Sequence, residues 1–460
     1  MTVKVNDESQ AWTDGKEARD LIDALLGGTV AMRRAGKTYM PEFTMECDKD
    51  YQARLERATL FPAYSETIKN MTGRVFYRPI NRDNVASELE QDIKNIDLQG
   101  NDLEVFAAEW FGLGLAYGVC FALVDYPQTS SLSKRADGVV TLQDLAAGGV
   151  RPYARLIRPH DVIGWIVERI NNVDTLTQVR IKEMAQRRSG QYGVEAVERI
   201  RVIELDRFEV WEHHKGNNGC EWALVDEGLN SLGTIPLVPF YTNRTGILTA
   251  TPPLLELAHL NVKHWQEQSD QDASVSFARV RMVYATGVTP ETKISASADS
   301  VITLPDGGTI GVVQGSAESV KVGADSLAKL EEQMREAGAK LLVKSSQATK
   351  AVAQARSDAI IEQSALGAMA QSFEDAIDQM LQLMAQYRGI EDGGHADVND
   401  DFDALDDQTA GVDGLTKLVT SEIISEETAF NEAKRRGLIS NELTWEIEQQ
   451  RILSGGSHAA

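Results

Sequence analysis

The segment PPLLELAHLNVKHWQEQSDQDASVSFARV, residues 252–280, constrains the fold more than any other stretch of this chain. Pro252 and Pro253 stand where a helix begins, a position proline suits because its missing N–H has no helical partner there. About 25 helical residues would then span about 37 Å. An apolar stripe runs through the first half only: Leu254, Leu257, His259 or Leu260, and Trp265. The second half, QEQSDQDASVS, is almost entirely small or polar. A long helix with no apolar face has no place in the core of a monomer. The segment is therefore expected to be solvated or to pack against copies of itself.

The elements around it follow from periodicity and punctuation. Residues 17–36 predict a helix and a basic turn. Leu55, Ala58, Tyr64, Ile68 and Met71 recur at roughly helical spacing and predict amphipathic helices up to Pro79. DLEVFAAEWFGLGLAYG, from Asp102, predicts a helix feeding the strand VCFALVDYP. Residues 128–149 read as a polar loop. From 150 to 245 short alternating runs predict β structure, with KGNNGC as a hairpin turn.

Beyond the long helix, RVRMVYATG, SVITLP and GTIGVVQG predict short strands, with a turn at 306–308. A helix is expected over 325–343, with Leu327, Leu330, Met334 and Leu341 on one face. A longer helix should run to about Tyr387, with Leu366, Ala370, Phe373, Ile377, Met380 and Met384 as a packed seam. Gly367 lies inside that pattern and predicts a bend or a close contact. Residues 391–407 contain eight carboxylates and no Lys or Arg and read as an acidic linker. IISEETAF and LISNELTW each place a Ser before acidic residues, which predicts two short capped helices and then a small tail from Ser454.

Composition narrows the function classes. The 460 residues carry 69 acidic against 46 basic side chains, a formal charge of -23, with 42% hydrophobic residues. This balance argues against a nonspecific basic glove on nucleic acid, whose grip depends on Lys and Arg. It suits solubility at high local concentration. The N-terminus lacks an apolar signal region, no apolar run suggests a membrane span, and Cys47, Cys120 and Cys220 are widely separated. A soluble cytosolic chain with reduced thiols is the expectation.

The chemical motifs are weak. GLGLAYG at 112–118 precedes a strand where a dinucleotide-binding turn would follow one, so close helix packing is the reading. No phosphate-binding GxxxxGK[ST] occurs. His213 and His214 point to opposite faces of a strand, and His259 and His264 do not share a helix face. DVNDDFD, from Asp397, has Phe402 and Gln408 where a calcium loop needs Gly and Glu. No carboxylate pair stands out for acid–base work, and no cofactor or metal site is expected.

One stretch breaks the acidic pattern. AKLLVKSSQATKAVAQARSDA, Ala339–Ala359, carries Lys340, Lys344, Lys350 and Arg356 and no carboxylate before Asp358. Lys340 and Lys344 could simply complement the C-terminal dipole of helix 325–343, with Lys350 and Arg356 as surface charges. Alternatively the loop faces an anion such as a phosphate backbone. A second basic group, Lys182, Arg187 and Arg188, reads as a hairpin tip.

In its order of elements the chain resembles a tailed-bacteriophage portal protein (head-to-tail connector). YQARLERATLFPAYSETIKNMTGRVFYRPI is similar to the N-terminal region of one portal subfamily. IPLVPF followed by PPLLELAHLNVKHWQEQSD resembles the entry to a portal stem helix, and GLISNELTWEIEQQRI resembles portal C-terminal helices. The resemblance runs from about 39 to 453.

It implies an α+β, mainly helical fold with wing, stem, clip and crown regions, assembled as a closed ring, usually of twelve subunits. The wing would be 1–250, the stem helices 251–278 and 324–343, the clip 279–323, and the tunnel loop 344–351. A long wing helix would span 352–390, the acidic linker 391–407 and the crown 408–460. It further implies a virion component at a capsid vertex, assembled in the host cytoplasm. Double-stranded DNA would pass through its channel during packaging and ejection, without sequence readout. A terminase motor, a head-completion or tail adaptor, and a capsid or scaffolding protein would be its partners, with no membrane. Lys344 and Lys350, with Lys340 and Arg356, become the channel candidates, and the chain itself is expected not to be an enzyme. The other readings are a capsid-associated scaffold or adaptor, or a metal-dependent enzyme using the acidic clusters.

Overall fold

The computed structural model describes residues 4–127, 150–216, 219–279, 282–287, 307–313, 317–342, 364–400, 415–421, 423–435, 439 and 443–455. Its helices are α1 (Gln10–Asp14), α2 (Lys16–Leu26), α3 (Gly28–Ala35), α4 (Asp48–Arg57), α5 (Ala63–Val75), α6 (Ser87–Asp92), α7 (Leu103–Tyr117), α8 (Leu255–Arg279), α9 (Ala317–Ala339), α10 (Ala365–Arg388), α11 (Glu426–Arg435) and α12 (Trp445–Gly455). Its strands are β1 (Asn81–Asp83), β2 (Val119–Asp125), β3 (Tyr153–Ile157), β4 (Val162–Ile170), β5 (Val173–Ser189), β6 (Gly193–Glu204), β7 (Arg207–Gly216), β8 (Gly219–Leu229), β9 (Leu237–Tyr241), β10 (Arg244–Gly246), β11 (Thr249–Ala250), β12 (Met282–Thr286), β13 (Thr309–Val313) and β14 (His395–Asp397). The chain divides into two compact units. One comprises 1–19, 67–253 and 341–460, the other 20–66 and 254–340.

The first unit is built on β2. Its sequence VCFALVD has no polar residue before Asp125, and every position up to Val124 is buried. β3 and β9 flank it, both antiparallel. Helices α7 and α10 pack on this sheet through an aromatic cluster. Phe111 stacks on Phe240 at 5.3 Å, and Phe373 meets Phe240 edge-on at 4.7 Å and Trp110 at 5.2 Å. The Trp110 indole N–H donates to the Cys120 carbonyl at 3.0 Å. Gly114 explains GLGLAYG: a Cβ there would collide with the Phe240 ring. Gly114 thus serves close helix packing, as the sequence indicated, whereas Gly118 ends α7 in the left-handed region.

A second sheet runs in the order β4-β5-β6-β7-β8, an antiparallel meander. One face packs Val162, Val179, Ile181 and Ile203 against Phe121, Leu123 and Leu237 of the first sheet, and the other carries Trp12 with Ile163, Ile200 and Val202. A charge network stitches the packed face. Arg201 donates to Asp125 at 2.6 Å and pairs with Glu183 at 3.0 Å, and Arg155 also binds Glu183. Lys182, Arg187 and Arg188 do lie toward the β5–β6 turn, but all three are engaged there. Lys182 pairs with Glu198, Arg187 donates to buried Glu212 at 2.6 Å, and Arg188 donates to the carbonyls of Gly190 and Gln191. Burial works against the Glu212 charge, but the guanidiniums of Arg199 and Arg187 overcome it and hold the carboxyl below the usual range.

Several expectations need correction. The helix expected over 325–343 begins at Ala317 and gives way to a 3-10 turn at Lys340–Leu342. Of the helix expected over 352–390, residues 352–363 lie outside the described residues, and the described helix runs from Ala365 to Arg388. Ser364 has extended backbone and its hydroxyl accepts the Gly367 N–H, so Gly367 lies in the first turn and no bend is centred on it. The described part of the expected acidic linker is integrated into the fold. β14 pairs antiparallel with β1, Ala396 and Val398 are buried, and carboxylates of α10 take the strand's outer N–H groups. Asp378 accepts the Ala396 N–H at 2.8 Å and Glu374 accepts the Val398 N–H at 3.0 Å. The two helix positions are four apart, and Ala396 in β14 and Val398 just after it are two apart, so one helix face substitutes for a neighbouring strand. The expected loop at 128–149 and strand SVITLP lie outside the described residues.

Candidate assembly and channel element

The second unit centres on the pair α8 and α9. They run antiparallel: Gln271 meets Val320, Glu267 meets Ser326, His264 meets Glu331, and Glu256 meets Lys340. The ribbon β12–β13 lies in sequence between the C-terminus of α8 and the N-terminus of α9, and its strands pair in register from Met282↔Val313 to Thr286↔Thr309. α9 contributes Leu327, Leu330 and Met334 of the stripe the sequence indicated, with Ala337 added, and Leu341 is buried in the 3-10 turn that follows. Gly323 lets the helices close up, since a Cβ there would strike the Gln271 side chain. The Gln271 amide instead donates to the Val320 carbonyl at 2.8 Å.

α8 divides along its length as its sequence demands. Leu257, Ala258, Asn261, His264, Trp265 and Ser269 are buried in the first part. His259 is exposed, so Leu260, half-buried, continues the stripe. From Asp270 to Arg279 no position is fully buried.

The buried polar groups have local reasons. Asn261 accepts the Tyr64 N–H at 3.0 Å and donates to the Phe61 carbonyl at 2.8 Å. It thereby satisfies an N–H in the first turn of α5 that has no partner within its own helix. His264 sits 5.1 Å from the Phe61 ring. Burial pushes its pKa below the ordinary value, and Glu331, 3.7 Å away, pulls partly the other way. Ser269 accepts from Arg54 of α4 at 3.4 Å. Arg54 is itself fixed by Glu46 at 2.7 Å, by the Pro41 carbonyl at 2.8 Å, and by the Phe43 ring 4.0 Å below its guanidinium.

Of the four candidate channel residues, only Lys340 lies among the described residues. Lys344, Lys350 and Arg356 fall outside them. Lys340 occupies the 3-10 turn after α9 and pairs with Glu256 of α8 at 3.2 Å, with both side chains mostly exposed. A carboxylate from the same copy therefore stands beside this cation. At Lys340 the cationic run is met by a carboxylate that the local stretch does not contain. Its partner was not visible in the local stretch, because Glu256 is on the other helix.

The acidic positions around Asp397 are likewise taken up within the fold. Asp378 pairs with His395 at 2.6 Å, and Asp400 accepts from Gln371 at 2.9 Å. Among the described residues no group of three or more His, Cys, Asp or Glu is placed to hold a metal ion. Nor is any described helix long and apolar enough to cross a membrane.

Residues 253–388, which span α8 through α10, match a family described as a domain of unknown function, DUF4055. No curated protein matches the chain. Among solved structures the chain is similar to one in the neck of a native gene transfer agent (GTA) particle computed with C12 symmetry, at 10% identity and TM-score 0.40, over 80% of this chain and 88% of that one. It is also similar to a chain of the virion of a native GTA particle, at 10% identity and TM-score 0.40, over 91% and 99%. A third, from the neck of an empty GTA particle computed with C6 symmetry, gives 12% identity and TM-score 0.38 over 89% and 93%. Scores of this size do not establish a common fold.

Proposed function

We propose that this chain is a portal-type subunit of a phage-like particle. Copies close into a ring at a capsid vertex, and the genome passes through the axial channel during packaging and ejection. The observation that carries the reading is the α8–α9 pair. A 25-residue helix leaves the part beyond Ser269 without a buried face, although an antiparallel partner already lies against it. Another copy of the chain would supply burial to such a helix, and a repeated head-to-tail contact that closes gives a ring. The collinear resemblance from about 39 to 453 supports the same reading.

In this reading α8 and α9 are the stem, β12 and β13 belong to the clip that meets the terminase motor and later a tail adaptor, and the segment after Leu342 faces the DNA. Catalysis is left to the separate motor. An acidic subunit suits a channel that must let DNA slide, because a few salt-screened contacts do not grip it.

Native mass measurement with class averages down the ring axis tests this. Closed rings with an opening wide enough for duplex DNA are expected. A chain that stays monomeric or dimeric at micromolar concentration overturns the proposal. A closed ring too narrow for a duplex would favour a scaffold or adaptor role.

A further inference from the structure

The second unit carries a crevice and a ridge that one copy cannot bring together. The crevice, of about 560 Å³, lies between α4 with its preceding loop and the distal part of α8. Phe43, Asp50 and Arg57 line one wall and Asp272, Ser276 and Phe277 the other. Both phenylalanines are more than two-fifths exposed. The ridge is the outer face of α9, with Lys321, Val322, Asp325 and Lys329 exposed along its first turns and Val322 at 64% exposure.

Helical geometry separates the two. On α8 the residues that meet α9 are His264, Glu267 and Gln271, whereas Ser269, Asp272 and Ser276 face the crevice. At about 100° per residue these sets lie on opposite sides of α8. Their heights overlap at one end, however. Gln271 touches Val320 at the start of the ridge, and the crevice extends from Ser269 to Phe277. The charges are complementary as well. Among the described residues, Asp50 and Asp272 have no cationic partner, and Lys321 and Lys329 have no anionic one.

We propose that this crevice seats a second copy of the chain, with the outer face of the neighbour's α9 entering it. Val322 covers the two phenylalanines, and Lys321 and Lys329 meet Asp50 and Asp272. The contact is head-to-tail, because crevice and ridge are different surfaces on opposite sides of one helix, and so it propagates from copy to copy. It assigns a surface to the ring contact and rests on that reading of the function.

Charge exchange tests the pairing. The double variant Asp50→Lys with Asp272→Lys, and separately Lys321→Asp with Lys329→Asp, should each weaken association by on the order of 100-fold, since like charges then oppose across the contact. Mixing the two variants, or combining all four changes in one chain, should restore assembly. Circular dichroism of each variant controls for folding. As a second measurement, Ser276→Cys in one chain and Val322→Cys in another, both on a Cys47→Ser, Cys220→Ser background, should give a mixed disulfide-linked dimer on oxidation. If the wild type is monomeric, the functional reading and this contact both fall. If it forms rings that the charge variants leave intact, or the mixed cysteine pair never links, only this contact is overturned.

Discussion

Helices α8 and α10 are nearly the same length, 25 and 24 residues, yet they solve opposite problems. On α10 the buried positions Leu366, Ala370, Phe373, Ile377, Met380 and Met384 continue along most of the helix. On α8 the last buried position is Ser269. A helix that completes a core inside one chain carries its apolar seam throughout, whereas α8 is buried in its first part and carries no fully buried position beyond Ser269. The contrast separates a helix that completes a core from one whose distal part is proposed to meet a second copy.

The largest expected effect breaks this contrast at its centre. Phe373 is fully buried and touches Trp110, Phe111 and Phe240. Phe373→Ala should destabilise the chain by about 3–5 kcal/mol, through lost burial and the cavity left behind. Phe277→Ala on α8 removes a ring that is 43% exposed and should change stability by less than about 0.5 kcal/mol. Chemical denaturation of both variants checks this. Equal losses would mean that the distal half of α8 is part of a folding core after all.

A smaller loss is expected where α10 ends. Arg388 makes two hydrogen bonds to buried Asp92, at 2.5 and 2.6 Å, and Arg151 lies 3.9 Å away. Arg388→Ala leaves the carboxylate with the weaker partner and should cost about 2–3 kcal/mol. Asp92→Asn with Arg388→Gln, which removes both charges together, should recover part of that loss. A double-mutant cycle in urea measures it.

Next in size is a pH dependence carried by the strand held against α10. Burial first, with Asp397 and Asp400 adding to it, raises the Glu374 pKa to about 8, although the Val398 N–H favours the charged form. Nearby Asp378 is committed to His395, whose own pKa that carboxylate raises. A carboxyl that holds its proton more tightly folded than unfolded contributes most when that proton is bound. Stability should therefore fall as pH rises from about 5 to about 8 and level off above. Water reaches the pair, so the change should be about 1 kcal/mol. Glu374→Gln should flatten this part of the profile, as followed by melting temperature or by amide exchange at 396–398. A Gln variant with the wild-type slope would show that another group carries it.

These regions also differ in how far a sequence reveals them. The seam of α10 and the bare distal half of α8 are both periodicities within one window of residues, and both were legible. The strand β14 was not. Asp397 and the carboxylates around it read as an acidic linker, because the partners of this segment, Asp378 and Glu374 on α10 and the short β1, lie outside the window. Asn261 was equally hidden, since the groups it satisfies belong to Tyr64 and Phe61. Charge alone does not distinguish a residue facing water from one that accepts a distant backbone N–H.

The basic stretch that opens at Lys340 gives the smallest expected change in stability. Lys340 and Glu256 are 68% and 81% exposed, and a pair so open to water contributes little. Lys340→Ala should therefore alter stability by less than about 0.5 kcal/mol and leave assembly unchanged. Lys344→Glu with Lys350→Glu should do the same to folding and assembly but impair DNA packaging or retention, because these cations are proposed to touch phosphate. The two variants divide a run of charges that looks uniform in sequence. One lysine already has a carboxylate beside it in the same copy, and two are proposed to face the channel. Packaging at the wild-type level by the double variant would remove the DNA-facing role of the stretch without affecting the ring.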